Sequence, residues 1–193
     1  MYGRCLLFCG ILCALFLGGC ASLGDQYPEG LDESKKVAIF PVFVKQHKEA
    51  KLEVEDIAAE VFREMDLEVL SAKEVREVVD ANAELQAPYE RYTSLISILS
   101  FSDGRLSAPL GKALECDYFL LVFVNEWGYE KHGEDDYAVV QLGILLIDAH
   151  SGKVLLRDNV LEKRDWLLFR PELKDIAREM LEETLFDRAV VAR

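Results

Sequence analysis

Asp148, His150 and Ser151 bring a carboxylate, an imidazole and a hydroxyl into one short stretch, the side-chain types of an orienter, a base and a nucleophile. Packed into a single turn, however, three such groups cannot easily set the hydroxyl against a base that is itself oriented from behind. The stretch therefore reads as a turn rather than a triad. His132, Glu134, Asp135 and Asp136 are of the types that ligate divalent ions. Lys131 beside them and their place between two strands favour a solvated loop. The three histidines, His47, His132 and His150, are scattered, and none has a metal-binding spacing such as H-E-x-x-H. There is no G-x-S-x-G elbow, P-loop or dinucleotide fingerprint. Paired carboxylates are unavoidable in a chain with 35 acidic residues, so their presence decides nothing. The chain is expected to lack a catalytic set, a resident metal and a cofactor.

The cysteines divide by position. Met1-Tyr2-Gly3-Arg4 precedes an almost unbroken apolar run from Cys5 to Leu17. A cationic start, a short apolar stretch and small residues at its exit are the parts of a secretory signal, assigned here to residues 1–19. The alternative, an uncleaved anchor helix, needs about 20 apolar residues to cross a core of about 30 Å. Leu17-Gly18-Gly19-Cys20 resembles the bacterial lipobox, which implies that Cys20 carries lipid and becomes the first residue of the mature chain. Two or more acyl chains anchor stably where one does not. Ala21 stands where an aspartate is the usual inner-membrane retention signal, so the resemblance implies the periplasmic face of the outer membrane. Cys5, Cys9 and Cys13 leave with the signal, and Cys116 alone remains as a thiol. It cannot form an internal disulfide. Glu115 and Asp117 flank it, with no base to lower its pKa, so a buried structural role is expected.

The formal net charge is −13, and loss of Arg4 makes it one unit more negative. That balance opposes nucleic acid and anionic lipid surfaces as partners. A protein partner remains open, and the acidity also serves as a solvated surface.

Residues 20–35 are rich in Gly, Ser, Asp and Glu and read as a tether of at most about 50 Å. Residues 36–193 suit one domain. Val37–Phe43 is a first strand, with Pro41 marking an end, a bulge or an edge. Val54, Ile57, Ala58, Val61, Phe62 and Met65 recur at helical spacing. Leu67–Leu70 is a short strand, and Ser71-Ala72-Lys73-Glu74 matches a capping box opening a helix with Val75, Val78 and Val79. Tyr89, Tyr92, Leu95, Ile96 and Leu99 keep helical spacing until Ser102-Asp103-Gly104-Arg105 breaks it. A helix from about Ser107 to Glu115 follows, with Pro109 in its first turn. Asp117–Trp127 is an apolar strand of the kind buried on both faces. Strands over 137–148 and 153–161 are joined at Ala149-His150-Ser151-Gly152. A C-terminal helix carries Leu173, Ile176, Ala177, Met180, Leu181 and Leu185, with Pro171 near its start. The expected fold is a layered α/β domain with a mixed sheet packed by helices, in β-α-β-α-α-β-β-β-α order.

Tyr89, Tyr92 and Phe101 are the candidate partner-binding residues, since aromatics are enriched at protein interfaces. The same stripe also reads as a core-facing helix. Trp127 and Trp166 lie near strand ends and fit either role.

The order of elements resembles the domain shared by the curli secretion lipoprotein CsgG, the amino-terminal domain of TolB and the cell-wall-synthase activator LpoB. Val37–Val42, Leu110–Leu121 and Leu146–Val154 carry the resemblance. It implies an envelope protein that binds a protein partner, and, through the channel-forming member, a homo-oligomeric scaffold. Two departures narrow this. Pore-forming members insert long hairpins, whereas 128–136 is expected to be a short charged connection; LpoB-type activators carry a longer leader than this tether. The leading expectation is a non-enzymatic lipoprotein assisting envelope assembly, secretion or cell-wall synthesis, with a homo-oligomeric scaffold, a small-ligand binder or an enzyme with an unrecognised site as alternatives.

Overall fold

The computed structural model describes residues 34–132, 135–166 and 168–190. The signal segment, Cys20 and nearly all of the tether lie outside them, as does Glu134. The elements are β1 (Lys36–Ile39), β2 (Phe43–Val44), α1 (Ala50–Glu64), β3 (Glu68–Leu70), α2 (Ala72–Ala81), α3 (Ala83–Leu99), α4 (Gly104–Leu114), β4 (Tyr118–His132), β5 (Asp135–Asp148), β6 (Val154–Asp165) and α5 (Leu173–Val190). This is the expected α/β layered fold, with two additions to the order: the two-residue β2 and a third helix between β3 and β4.

The sheet runs β3-β1-β4-β5-β6, with β2 also paired to β4. β1 is parallel to both β3 and β4, whereas β4, β5 and β6 are antiparallel. Chain direction explains the layering. The α1 crossover carries the chain from β1 to one neighbour, and the α2–α4 crossover brings it back past β1 to the other. Right-handed connections in opposite directions place their helices on opposite faces. Accordingly α1 and α5 pack with Val37, Ile39, Leu120, Val122, Leu142 and Ile144. The other face packs α2, α3 and α4 on Ala38, Phe40, Phe119, Leu121 and Ile147. Phe119 to Val122 are fully buried, as an apolar strand between two layers requires.

Local signals set several boundaries. Pro41, with no N–H to give a ladder, separates β1 from β2. The Ser71 hydroxyl accepts from the Glu74 N–H at 3.4 Å while the Glu74 carboxylate accepts from the Ser71 N–H at 2.8 Å, completing the capping box. Two expectations are corrected. Asp103 does not merely break a pattern: its carboxylate accepts from the Arg105 N–H at 2.9 Å and caps α4, so the helix begins at Gly104 and Pro109 lies beyond its first turn. The charged stretch 128–136 is not a free connection either. Gly128↔Val139, Glu130↔Tyr137 and Lys131↔Asp136 remain paired. Charged side chains do not end a strand when one of its faces meets water.

A register shift between Val124 and Glu126 inserts Asn125 as a bulge. The bulge reverses which side chains face which way. Trp127 thereby enters the α1/α5 core and is 5% exposed. Among the described residues no helix is long and apolar enough to cross a membrane.

Candidate interaction surface

The three predicted partner-binding aromatics part company. Tyr92 is fully buried; its ring meets Phe40 and Phe119 edge-on at 6.0 and 5.7 Å, and its hydroxyl lies 3.0 Å from the Ser102 hydroxyl. Burial raises its pKa above the ordinary phenol value, against hydrogen bonds from Ser102 and Ser107. Tyr89 is half-buried and stacks on Phe40 at 5.4 Å, with its pKa pushed up to about 12 by burial. These two rings fill the core-facing side of α3. Phe101 instead stands 55% exposed, next to Ile98 and Leu99 at 78% and 64%. Leu99 shares the helical stripe of Tyr92 and Ile96, so its spacing does not mark it as exposed; Ile98, two residues from Ile96, lies off that stripe, and that offset is the signal that could have found it.

The reason for the difference is where the second helical layer stops. Ser100 takes a left-handed conformation, φ 50°, and closes α3. The Arg157 guanidinium reaches from β6 and donates to the Ser100 carbonyl at 2.5 Å, placing a cation at the negative end of the helix. Beyond this point no described helix covers the sheet. A cleft of about 320 Å³ opens there, lined by Lys45, Ser97, Phe123, Asn125, Gly143 and Asn159 among others. Phe43 stacks on Phe123 at 4.8 Å, and the Asn159 side-chain carbonyl accepts from Asn125 and Gln141, each at 3.4 Å. Amides, two cations and an apolar ridge line it, groups suited to binding.

The Asp148–Ser151 stretch forms a turn. The Ser151 N–H and hydroxyl both donate to the Asp148 carboxylate, at 2.7 and 2.6 Å, so the hydroxyl is not held against an imidazole. His150 Nε2 lies 3.2 Å from Asp117 instead. Asp117 also accepts from the Lys36 N–H at 3.1 Å and the Lys35 ammonium at 3.3 Å. Burial pushes its carboxyl up, but these contacts outweigh it and the net shift is downward. In Asp148 the two Ser151 donors likewise overcome burial. Cys116 is buried; burial, then the Asp117 charge, pushes its thiol up to about 12. Among the described residues no group of three His, Cys, Asp or Glu side chains is placed to hold a metal. The side chains of His132, Glu134 and Asp135 fall outside those described.

Open α/β sheets bind ligands outside the carboxyl ends of their strands, where the chain reverses direction. Here that place follows β1, and a buried ion pair occupies it. Arg76 on α2 donates to both carboxylate oxygens of Glu55 on α1 at 3.1 Å, and the Val42 N–H donates to the same group at 3.1 Å. Glu55 is only 5% exposed.

No family model matches the chain, and no curated protein matches it in sequence. Solved structures do match in fold. Lipoprotein GNA1162 from Neisseria meningitidis aligns with TM-score 0.54 and 16% identity over 79% of this chain and 99% of that one. The PelC dodecamer from Paraburkholderia phytofirmans aligns with TM-score 0.51 and 19% identity over 83% and 91% of the respective chains. A point variant of that dodecamer gives 0.52 and 18% over 82% and 92%. At such identities the likeness is one of fold.

Proposed function

We propose that this chain is a lipid-anchored envelope protein that acts by binding a protein partner rather than by catalysis. Held through Cys20 at the periplasmic face of the outer membrane, it assists envelope assembly, secretion or cell-wall synthesis. The observation that carries the proposal is the uncovered end of α3, where Ile98, Leu99 and Phe101 stand exposed beside the cleft. Contiguous apolar side chains left in water next to polar groups are the usual composition of an interface. The fold likeness to a meningococcal lipoprotein supports the envelope setting. Affinity isolation of the full lipidated chain from solubilised envelopes is expected to recover one partner at near-stoichiometric level, and Phe101→Asp to lose it without lowering the melting temperature. Recovery of no specific partner, or a Phe101→Asp variant that still holds it, would overturn the proposal.

A second reading is a homo-oligomeric scaffold, favoured by the dodecameric assembly of the matched PelC structures. Light scattering of the detergent-solubilised chain is expected to give a mass of several copies. A monomer at every concentration would sink it.

A further inference from the structure

We propose that β6 docks a second copy of this chain, the two β6 strands pairing antiparallel about a two-fold axis at Leu161. This rests on the reading that copies self-assemble, and names the surface on which they meet.

β6 is the outer strand of the sheet and, among the described residues, pairs only with β5. It runs for 12 residues, whereas the opposite edge strand, β3, has 3. A long row of unpaired backbone donors and acceptors is a template for another strand, and proteins usually blunt it by shortening it, by proline, by a bulge or by charged side chains. The bulge of β6 lies at its start, between Val154 and Leu156, and charges oppose an identical strand only where like meets like. β6 has no proline and carries charges of both signs: Arg157, Asp158, Glu162, Lys163, Arg164 and Asp165. Its side chains alternate, with Arg157, Asn159, Leu161, Lys163 and Asp165 exposed and Asp158, Val160, Glu162 and Arg164 half-buried toward α5.

Two identical strands paired across a two-fold axis normal to the sheet must have one residue facing itself, so only a few registers exist. Centred on Val160, Arg157 would oppose Lys163 and Asp158 would oppose Glu162. Like charges directly opposite are destabilising. Centred on Glu162, that carboxylate would face its own copy. Centred on Asn159, Arg157 would oppose Leu161 and no charges would pair. Centred on Leu161, Arg157 opposes Asp165, Asp158 opposes Arg164 and Asn159 opposes Lys163. Every charge on the exposed face then meets an opposite or neutral partner, and the half-exposed Leu161, at 48%, is covered by its own copy. Among the described residues neither Arg157 nor Asp165 has an ion-pair partner within its own chain. Arg164 already meets Glu162 and Glu179, so the Arg157–Asp165 pair is the decisive one.

The test uses the full lipidated chain in detergent. Under mild oxidation Leu161→Cys is expected to run as a disulfide-linked dimer, since directly opposed residues have Cα atoms about 4.5–5.5 Å apart. Asn159→Cys is expected to stay unlinked, because its copies are displaced by four residues, about 13 Å. Arg157→Asp and Asp165→Arg are each expected to lower the dimer fraction about tenfold and the double exchange to restore it. Asp165→Arg should leave the melting temperature unchanged, whereas Arg157→Asp also loses the Ser100 contact and should lower it, in the single and the double variant alike. Linkage at 159 but not 161, or a double exchange that fails to restore the dimer, would overturn the pairing. Oligomers that form without the 161 linkage would discard this interface and leave self-assembly standing; a chain that is monomeric throughout would discard both.

Discussion

Arg76 holds both carboxylate oxygens of Glu55 at 3.1 Å across the point where α1 and α2 leave the sheet on opposite faces. Glu55 is 5% exposed and Arg76 is 35% exposed. The pair ties the two helical layers together, and its carboxylate also satisfies the Val42 N–H freed where Pro41 ends β1.

Removing one partner of such a pair leaves a charge in low dielectric. Arg76→Ala is expected to destabilise the fold by about 3 kcal/mol, the lower end of the range for a broken buried pair because Arg76 itself meets water. Replacing both residues, Glu55→Gln with Arg76→Met, should cost less than the single change. Urea unfolding of the three chains measures both differences.

Gly152 has φ 72°, and a Cβ there would stand 2.6 Å from Gly104 Cα. Gly152→Ala therefore combines a left-handed alanine with a backbone collision between the β5–β6 turn and the start of α4. A loss of about 2–3 kcal/mol is expected. Gly128→Ala is the control, since nothing lies within 4 Å of its Cβ position. It should be neutral to slightly stabilising. Thermal melts of both variants separate strain from composition.

Asp117 and Asp148 both have carboxyl pKa values held below the ordinary range. With the folded value below the unfolded one, each contributes stability that is present above the usual aspartate value of about 4 and is lost as pH falls through the depressed folded value. The protein is thus expected to lose stability progressively below about pH 5. Asp117→Asn should be less stable at pH 7 and show a shallower decline on acidification. Unfolding curves at several pH values would reveal it, and an unchanged slope would count against the Asp117 contacts.

With its thiol pushed up to about 12, Cys116 holds only about one part in ten thousand as thiolate at pH 8. The native chain is expected to resist iodoacetamide and to react once unfolded in urea. Mass spectrometry after each treatment reads the difference directly.

Much of this molecule was legible because local physics repeats along the chain. Ser71 and Glu74 satisfy backbone donors within one turn of each other, so their pattern announces α2 without any distant contact. The apolar run Phe119–Val122 demands cover on both faces wherever it sits. Sorting the cysteines by position set Cys116 apart beside acids, which argued against a nucleophile. Spacing groups residues onto a shared face, but what covers that face depends on elements far away in sequence. Tyr92 is core and Phe101 surface because α3 stops at Ser100, where Arg157 from β6 receives it. His150 turns to Asp117 rather than to Ser151 because the β5–β6 turn folds back onto the start of β4. Trp127 points inward only because one extra residue, Asn125, bulges from the ladder. The sequence by itself determined the elements and the groups available for chemistry; the tertiary structure decided which of those groups were buried, paired or left facing water, because burial is a property of neighbours brought together from distant parts of the chain.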